Sequence, residues 1–144
     1  MMNPRAIDYV TEEFYESLSF QDGEVPDLDS VKILFYGDGL LINNSFSKPF
    51  VFTAQSFTQT LESQIAEGTL KQFMQRELYA KTEIFGKVAQ RISVYEYNFS
   101  DYQTDNLPRG INYIQFIQTD DSWLITSMAW ADENENYQIP EEYL

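Results

Sequence analysis

An α+β domain follows from the order in which hydrophobic patterns appear along the chain. Apolar residues recur at helical spacing up to about Gly68, and from Leu70 onward the pattern becomes extended. The clearest single signal is the block Arg109 to Trp130, RGINYIQFIQTDDSWLITSMAW, where β-branched and aromatic runs flank a polar turn at Asp120-Asp121-Ser122. Helices gathered at one end of a chain and antiparallel strands at the other predict helices packed on one face of a sheet. At 144 residues the chain suits one domain, able to bury roughly 70% of the surface its unfolded form exposes. Residues 1–68 read as mainly helices with a short strand pair, 69–131 as antiparallel sheet, and 132–144 as an acidic tail.

The first helix starts at Asn3-Pro4, with Asn as N-cap and Pro at the first helical position, where its missing N–H costs nothing. Ile7, Val10, Phe14 and Leu18 share one face of it, and Asp8, Glu12 and Glu16 form an acidic stripe that reads as a solvated face. Gln21 to Pro26 is a loop. Asp27 caps a second helix in which Leu28, Val31, Leu34 and Phe35 turn inward, stopped by Gly37-Asp38-Gly39. Leu40 to Asn43 and Phe50 to Phe52 are short strands. Thr53 caps a third helix with Phe57, Leu61 and Ile65 spaced four apart, ending at Gly68. Leu70 to Ile84 and Lys87 to Phe99 form a long hairpin turning at Phe85-Gly86, and Ser100 to Pro108 is a loop. The tail ADENENYQIPEEYL is expected to be loosely held.

Composition excludes several chemistries. The chain has no cysteine and no histidine, so Ser-His-Asp and Cys-His catalysis cannot be built within it. No clustering of carboxylates suggests a metal site, and no cofactor is implied. A formal net charge of −14 would repel phosphate backbones and anionic lipid surfaces, which argues against nucleic acid and membrane as partners. The N-terminus lacks the basic and apolar regions of a leader, and a cytoplasmic protein is the expectation. The 11 Phe, 10 Tyr and 2 Trp suit a half-buried wall as well as a closed core.

Three stretches together resemble the nuclear transport factor 2-like superfamily, which includes the SnoaL-like cyclases, scytalone dehydratase and ketosteroid isomerase. They are PDLDSVKILFYGDGLLINN, IFGKVAQRISVYEY and INYIQFIQTDDSWLITSMAW, and with the first and third helices the likeness spans nearly the whole chain. The resemblance implies a cone: a curved mixed or antiparallel sheet wrapped around the N-terminal helices, with an apolar pocket at its open end. It also implies a homodimer through the outer sheet face, in keeping with more apolar strand residues than one core face requires. Members include enzymes, transport factors and binding modules, so the fold does not fix the function.

In the isomerase-like members a first-helix tyrosine and a late-strand acid stabilise an oxyanion while a carboxylate at the end of the first strand moves the proton. Matched to this chain, those positions fall at Phe14, at Gln115, and at Asn43 or Asn44. Phenylalanine donates no hydrogen bond and an amide abstracts no proton at neutral pH, so that mechanism is not expected. The dehydratase mechanism relies on histidine, which is absent.

What remains is a pocket with polar tips. A two-residue loop at Asp121-Ser122 would set Gln115 opposite Met128 and Tyr113 opposite Trp130 on one face, whereas a three-residue loop would change the partners. Phe14, Asn44, Phe57, Tyr113, Gln115, Met128 and Trp130 are the candidate ligand-binding residues, for a small apolar or amphipathic molecule. Asp38, Glu77 and Glu96 are the candidate carboxylates for an enzyme acting on a polyketide-like or cyclic carbonyl compound. Asp38 also reads as a turn residue, and Glu77, Glu83 and Glu96 as ion-pair partners of Arg76, Lys81 and Arg91 on an exposed or interface face. A third reading is a protein-interaction domain whose acidic surface recruits a basic partner.

Overall fold

The computed structural model describes residues 5–102 and 104–144. Helix α1, Arg5–Leu18, is followed by α2, Leu28–Lys32, strands β1, Phe35–Asn43, and β2, Phe50–Phe52, and helix α3, Ala54–Glu67. Four long strands complete the sheet: β3, Met74–Phe85; β4, Val88–Asn98; β5, Arg109–Thr119; and β6, Ser122–Asp132. The six strands run in the order β2-β1-β6-β5-β4-β3, with β1 parallel to β6 and all other neighbours antiparallel. This mixed sheet with helices on one face is the α+β arrangement the sequence predicts. Among the described residues no helix is long and apolar enough to cross a membrane.

The inner face of the sheet carries the core. Ile7, Val10, Phe14 and Leu18 of α1 are buried against Leu41, Ile114, Phe116, Ile125 and Met128. Each such side chain contributes about 1.5–3 kcal/mol on burial, so this seam is what fixes α1 on the sheet. The Asn3-Pro4 start of that helix lies outside the described residues. Thr53 and Ser56 form a reciprocal capping box at the start of α3, and Gly68 closes its end. The apolar stripe of α3 is treated differently from that of α1: Phe57, Leu61 and Ile65 are only partly buried. They line a cavity.

Helix α2 is shorter than its apolar spacing suggests. Leu34 and Phe35 are buried, but Phe35 begins β1 and pairs with Ile125, and the Ile125 amide donates to the Leu34 carbonyl at 2.9 Å. A short apolar run satisfies a turn followed by a strand as well as a helix, and pairing with β6 decides the matter. Gly37-Asp38-Gly39 is accordingly an irregularity within β1, where the register to β6 shifts between Phe35 and Leu40. Gly39 has a φ of 61°, and a methyl there would strike the Phe35 ring. Strand β3 starts at Met74 rather than Leu70, the residues before it holding a bridge between Phe73 and Phe20.

The closing hairpin corrects the expected pairing. Its loop is Asp120-Asp121, with Thr119 paired to Ser122 and Asp120 in the left-handed region at φ 51°. Placing the loop one residue earlier shifts every pair by two, and an extra residue in β6, Thr126, takes one back. Beyond that bulge Gln115 pairs with Ser127, Ile114 with Met128, Tyr113 with Ala129, and Asn112 with Trp130. Because side chains alternate across a strand, the slip exchanges the β5 faces. Asn112, Ile114 and Phe116 are buried inside; Tyr113 and Gln115 are exposed outside.

The C-terminal segment is held rather than loose. Ile139 is buried beside Ile111, Tyr113, Ala129 and Ala131 of the outer face, and Tyr143 stacks on Tyr79 with ring centroids 5.2 Å apart. Val94, outward-facing by register, is fully buried, which a bare sheet face would not allow. Arg109 and the Ile139 amide fasten the segment through Glu133, at 2.9 and 2.8 Å. These two hydrogen bonds hold the Glu133 carboxyl below its ordinary range, the Ile139 amide being the larger cause. An acidic composition alone concealed one apolar anchor and one aromatic.

Candidate functional site

Between α1, α3 and the inner sheet face lies a cavity of about 350 Å³. Phe14, Phe57, Phe73, Phe99, Met128 and Trp130 are among the side chains that make its walls apolar. Phe57 meets Phe52 and Trp130 edge to face at 5.6 and 6.1 Å, so the α3 side is an ordered aromatic wall.

The polar end is built by register. Met128, Trp130 and Asp132 alternate inward along β6, which brings the last of them, a carboxylate, to the cavity. Tyr95, Gly110 and Asp132 form one row across β4, β5 and β6. The bare glycine in the middle lets the Tyr95 ring pass over it; a methyl at Gly110 would collide with the Tyr95 phenol oxygen and the Ala131 carbonyl. Tyr95 then donates to Asp132 Oδ1 at 2.6 Å and Tyr97 donates to Oδ2 at 2.5 Å. Ser45 Oγ accepts from the Asp132 amide at 2.9 Å and tethers the strand end. Burial, followed by the hydrogen bond and charge of Asp132, raises both phenols well above the ordinary tyrosine range. They stay protonated and so remain donors to the carboxylate.

In the next row, Ser93-Asn112-Trp130, Asn112 is buried at the cavity wall. Its Nδ2 donates to Met128 Sδ at 3.5 Å, and among the described residues its Oδ1 has no hydrogen-bond partner. Behind it runs a relay that is buried at Tyr15, Ser93 and Arg91. Ser93 donates to Glu77 at 2.6 Å, which leaves Tyr15, 2.7 Å from Ser93 Oγ, as the donor of that pair. Burial pushes the Tyr15 phenol up to about 12, against the opposing pull of Ser93 and Asn112. Glu77 in turn takes two bonds from Arg91, at 3.1 and 2.6 Å, and Arg91 also reaches Asp8 at 2.6 Å. Burial works against the Arg91 charge, but Glu77 and Asp8 outweigh it and hold the guanidinium above its ordinary value.

The residues singled out from the sequence separate into two groups. Phe14, Phe57, Met128 and Trp130 line the cavity together. Tyr113 and Gln115 lie on the outer face, and Asn44 borders the outer groove beneath the C-terminal segment, while its neighbour Asn43 lines the cavity. Asp38 is exposed on the β1 irregularity, away from the cavity. Glu77 belongs to the Arg91 relay beneath α1, and Glu96 pairs with Arg76 at 2.6 Å. Sequence reasoning missed Tyr95, Tyr97, Asn112 and Asp132. The signal for Asp132 was present: alternation carried two residues past Trp130 reaches it.

No protein-family model matches the sequence, and no curated protein matches it either. Solved structures do match in shape. A Nostoc punctiforme protein of unknown function with a cystatin-like fold superposes with a TM-score of 0.70 at 14% identity, covering 93% of this chain and 96% of that one. A nuclear transport factor 2-like protein of unknown function from Shewanella oneidensis gives 0.66 at 14% identity, covering 89% and 98%. A protein from Novosphingobium aromaticivorans provisionally named a scytalone dehydratase gives 0.65 at 13% identity, covering 94% and 91%. At these identities the likeness is one of fold: the chain has the cystatin-like fold of the nuclear transport factor 2-like proteins.

Proposed function

We propose that this chain binds a small apolar or amphipathic molecule in the cone cavity and does not perform isomerase-type chemistry. The supporting observation is the cavity itself: about 350 Å³, aromatic along its walls, with polar groups gathered at one end. The isomerase-type mechanism needs hydrogen-bond donors directed at a developing oxyanion. Here the Tyr95 and Tyr97 hydroxyls are directed at Asp132 and the Tyr15 hydroxyl at Ser93. None is left facing a substrate carbonyl. Titration with the neutral dye Nile red, followed by dye fluorescence, tests the reading. Saturable binding that Phe57→Asp or Trp130→Asp abolishes is expected; binding unaffected by both changes would refute it.

The homodimer belongs to the same proposal, now restricted to the part of the outer face that the C-terminal segment leaves open. Phe85 and Val88 are more than half exposed there. A light-scattering mass of one chain would refute that part alone.

A further inference from the structure

We propose that the polar end of the cavity, formed by Asp132, Asn112, Tyr95 and Tyr97, selects a ligand with a cationic head group, an ammonium on an apolar body. The inference rests on the reading of the cavity as a ligand site and names the class of ligand. Its basis is the balance of donors and acceptors. Asp132 spends one lone pair of each oxygen on a tyrosine and keeps about two more positions that accept. Asn112, whose buried Oδ1 has no partner among the described residues, also lines this end of the cavity. The two phenols have turned their only protons to Asp132 and can offer a ligand just their lone pairs. The amides of Asn43, Gln64 and Gln75 carry donors and acceptors alike and leave the balance unchanged.

Charge points the same way. Among the described residues no lysine or arginine lines the cavity, and Asp132 has no basic partner. A carboxylate or phosphate ligand would therefore be placed beside an unneutralised carboxylate. An ammonium would satisfy Asp132 through charge-assisted bonds about twice as strong as neutral ones. The aromatic side chains of Tyr97, Phe99 and Trp130 line the same cavity and suit a cation, and an aryl or alkyl body suits the α3 wall. The chain's net charge of −14 would draw a cation toward the molecule before it reaches the mouth.

Three probes with one apolar body and different heads test this by titration calorimetry: phenylbutylamine, phenylbutanol and phenylbutyrate. About 0.3 M salt screens the general field of the protein, so that the preference measured is local. The amine is expected to bind roughly tenfold or more tighter than the alcohol, with the carboxylate weakest. Asp132→Asn should erase most of the amine's advantage and leave the alcohol within about twofold of its original affinity. Tyr97→Phe, which removes a phenol but keeps the carboxylate, should retain the preference for the amine. The wild-type panel decides the head group even where Asp132→Asn fails to fold. Equal binding of the three probes, or tightest binding of phenylbutyrate, overturns the head-group inference and leaves the cavity reading standing. An amine preference untouched in Asp132→Asn overturns it as well. Absence of binding by all three overturns both.

Discussion

Replacing Arg91 by methionine keeps the aliphatic stem of a side chain that is only 5% exposed and removes its guanidinium. Arg91 makes four hydrogen bonds: 3.1 and 2.6 Å to Glu77, 2.6 Å to Asp8 and 2.8 Å to Thr82. Glu77 is the group left behind, with Ser93 as its remaining donor. Breaking a buried ion pair from one side costs about 3–5 kcal/mol. The Asp8 side chain is 60% exposed and that of Glu77 22%, so water can reach both, and the lower end, about 3 kcal/mol, is the expected loss. At about 2–4 °C per kcal/mol for a chain near this size, the melting temperature should fall by roughly 6–12 °C. Thermal and urea unfolding followed by circular dichroism measures the loss. Adding Glu77→Gln removes the stranded charge, so the double variant should be more stable than the sum of the single changes by about 1–2 kcal/mol. Additivity within about 0.5 kcal/mol would refute the relay as a coupled unit.

Two further outcomes follow from the same geometry. Gly110→Ala should lower stability by about 2–4 kcal/mol in a urea titration, because the new methyl pushes Tyr95 off Asp132, and adding Tyr95→Phe should return part of the loss. A Gly110→Ala protein within about 0.5 kcal/mol of the parent would show that the ring does not need that space. For Glu133 the sign follows from its lowered folded value. Its hold on the C-terminal segment is complete above the ordinary glutamate value of 4.5 and is lost as the pH falls below that through the folded value. Hydrogen exchange at the Ile139 amide should therefore quicken on acidification, after correction for the intrinsic pH dependence of exchange, and Glu133→Gln should flatten the change. An unaltered pH response in Glu133→Gln would refute Glu133 as the fastening group.

Local chemistry makes much of the fold legible in the sequence. The Thr53 cap, the Gly68 stop and the α1 stripe of Ile7, Val10, Phe14 and Leu18 are written in residues only a few positions apart, and each forms as the sequence predicts. The three stretches that carry the family resemblance lie on α2 with β1, on β3 with β4, and on β5 with β6, in an arrangement shared with solved structures at 14% identity.

The site was legible only where it shares residues with the core. Phe14, Phe57, Met128 and Trp130 announce themselves as apolar positions at regular spacing, and the same spacing brings them to the cavity. Which polar groups join them depends on strand register. A loop one residue earlier and one extra residue at Thr126 move Gln115 outside and Asn112 inside. The carboxylate at the polar end depends on contacts farther apart still: Tyr95 reaches Asp132 because Gly110 lies between them in a row that exists only once β4, β5 and β6 are side by side. The sequence by itself determined the elements and the apolar wall, since periodicity and capping act within a few residues. Tertiary structure alone decided the polar end, because pairing across strands brings together groups that the chain holds far apart.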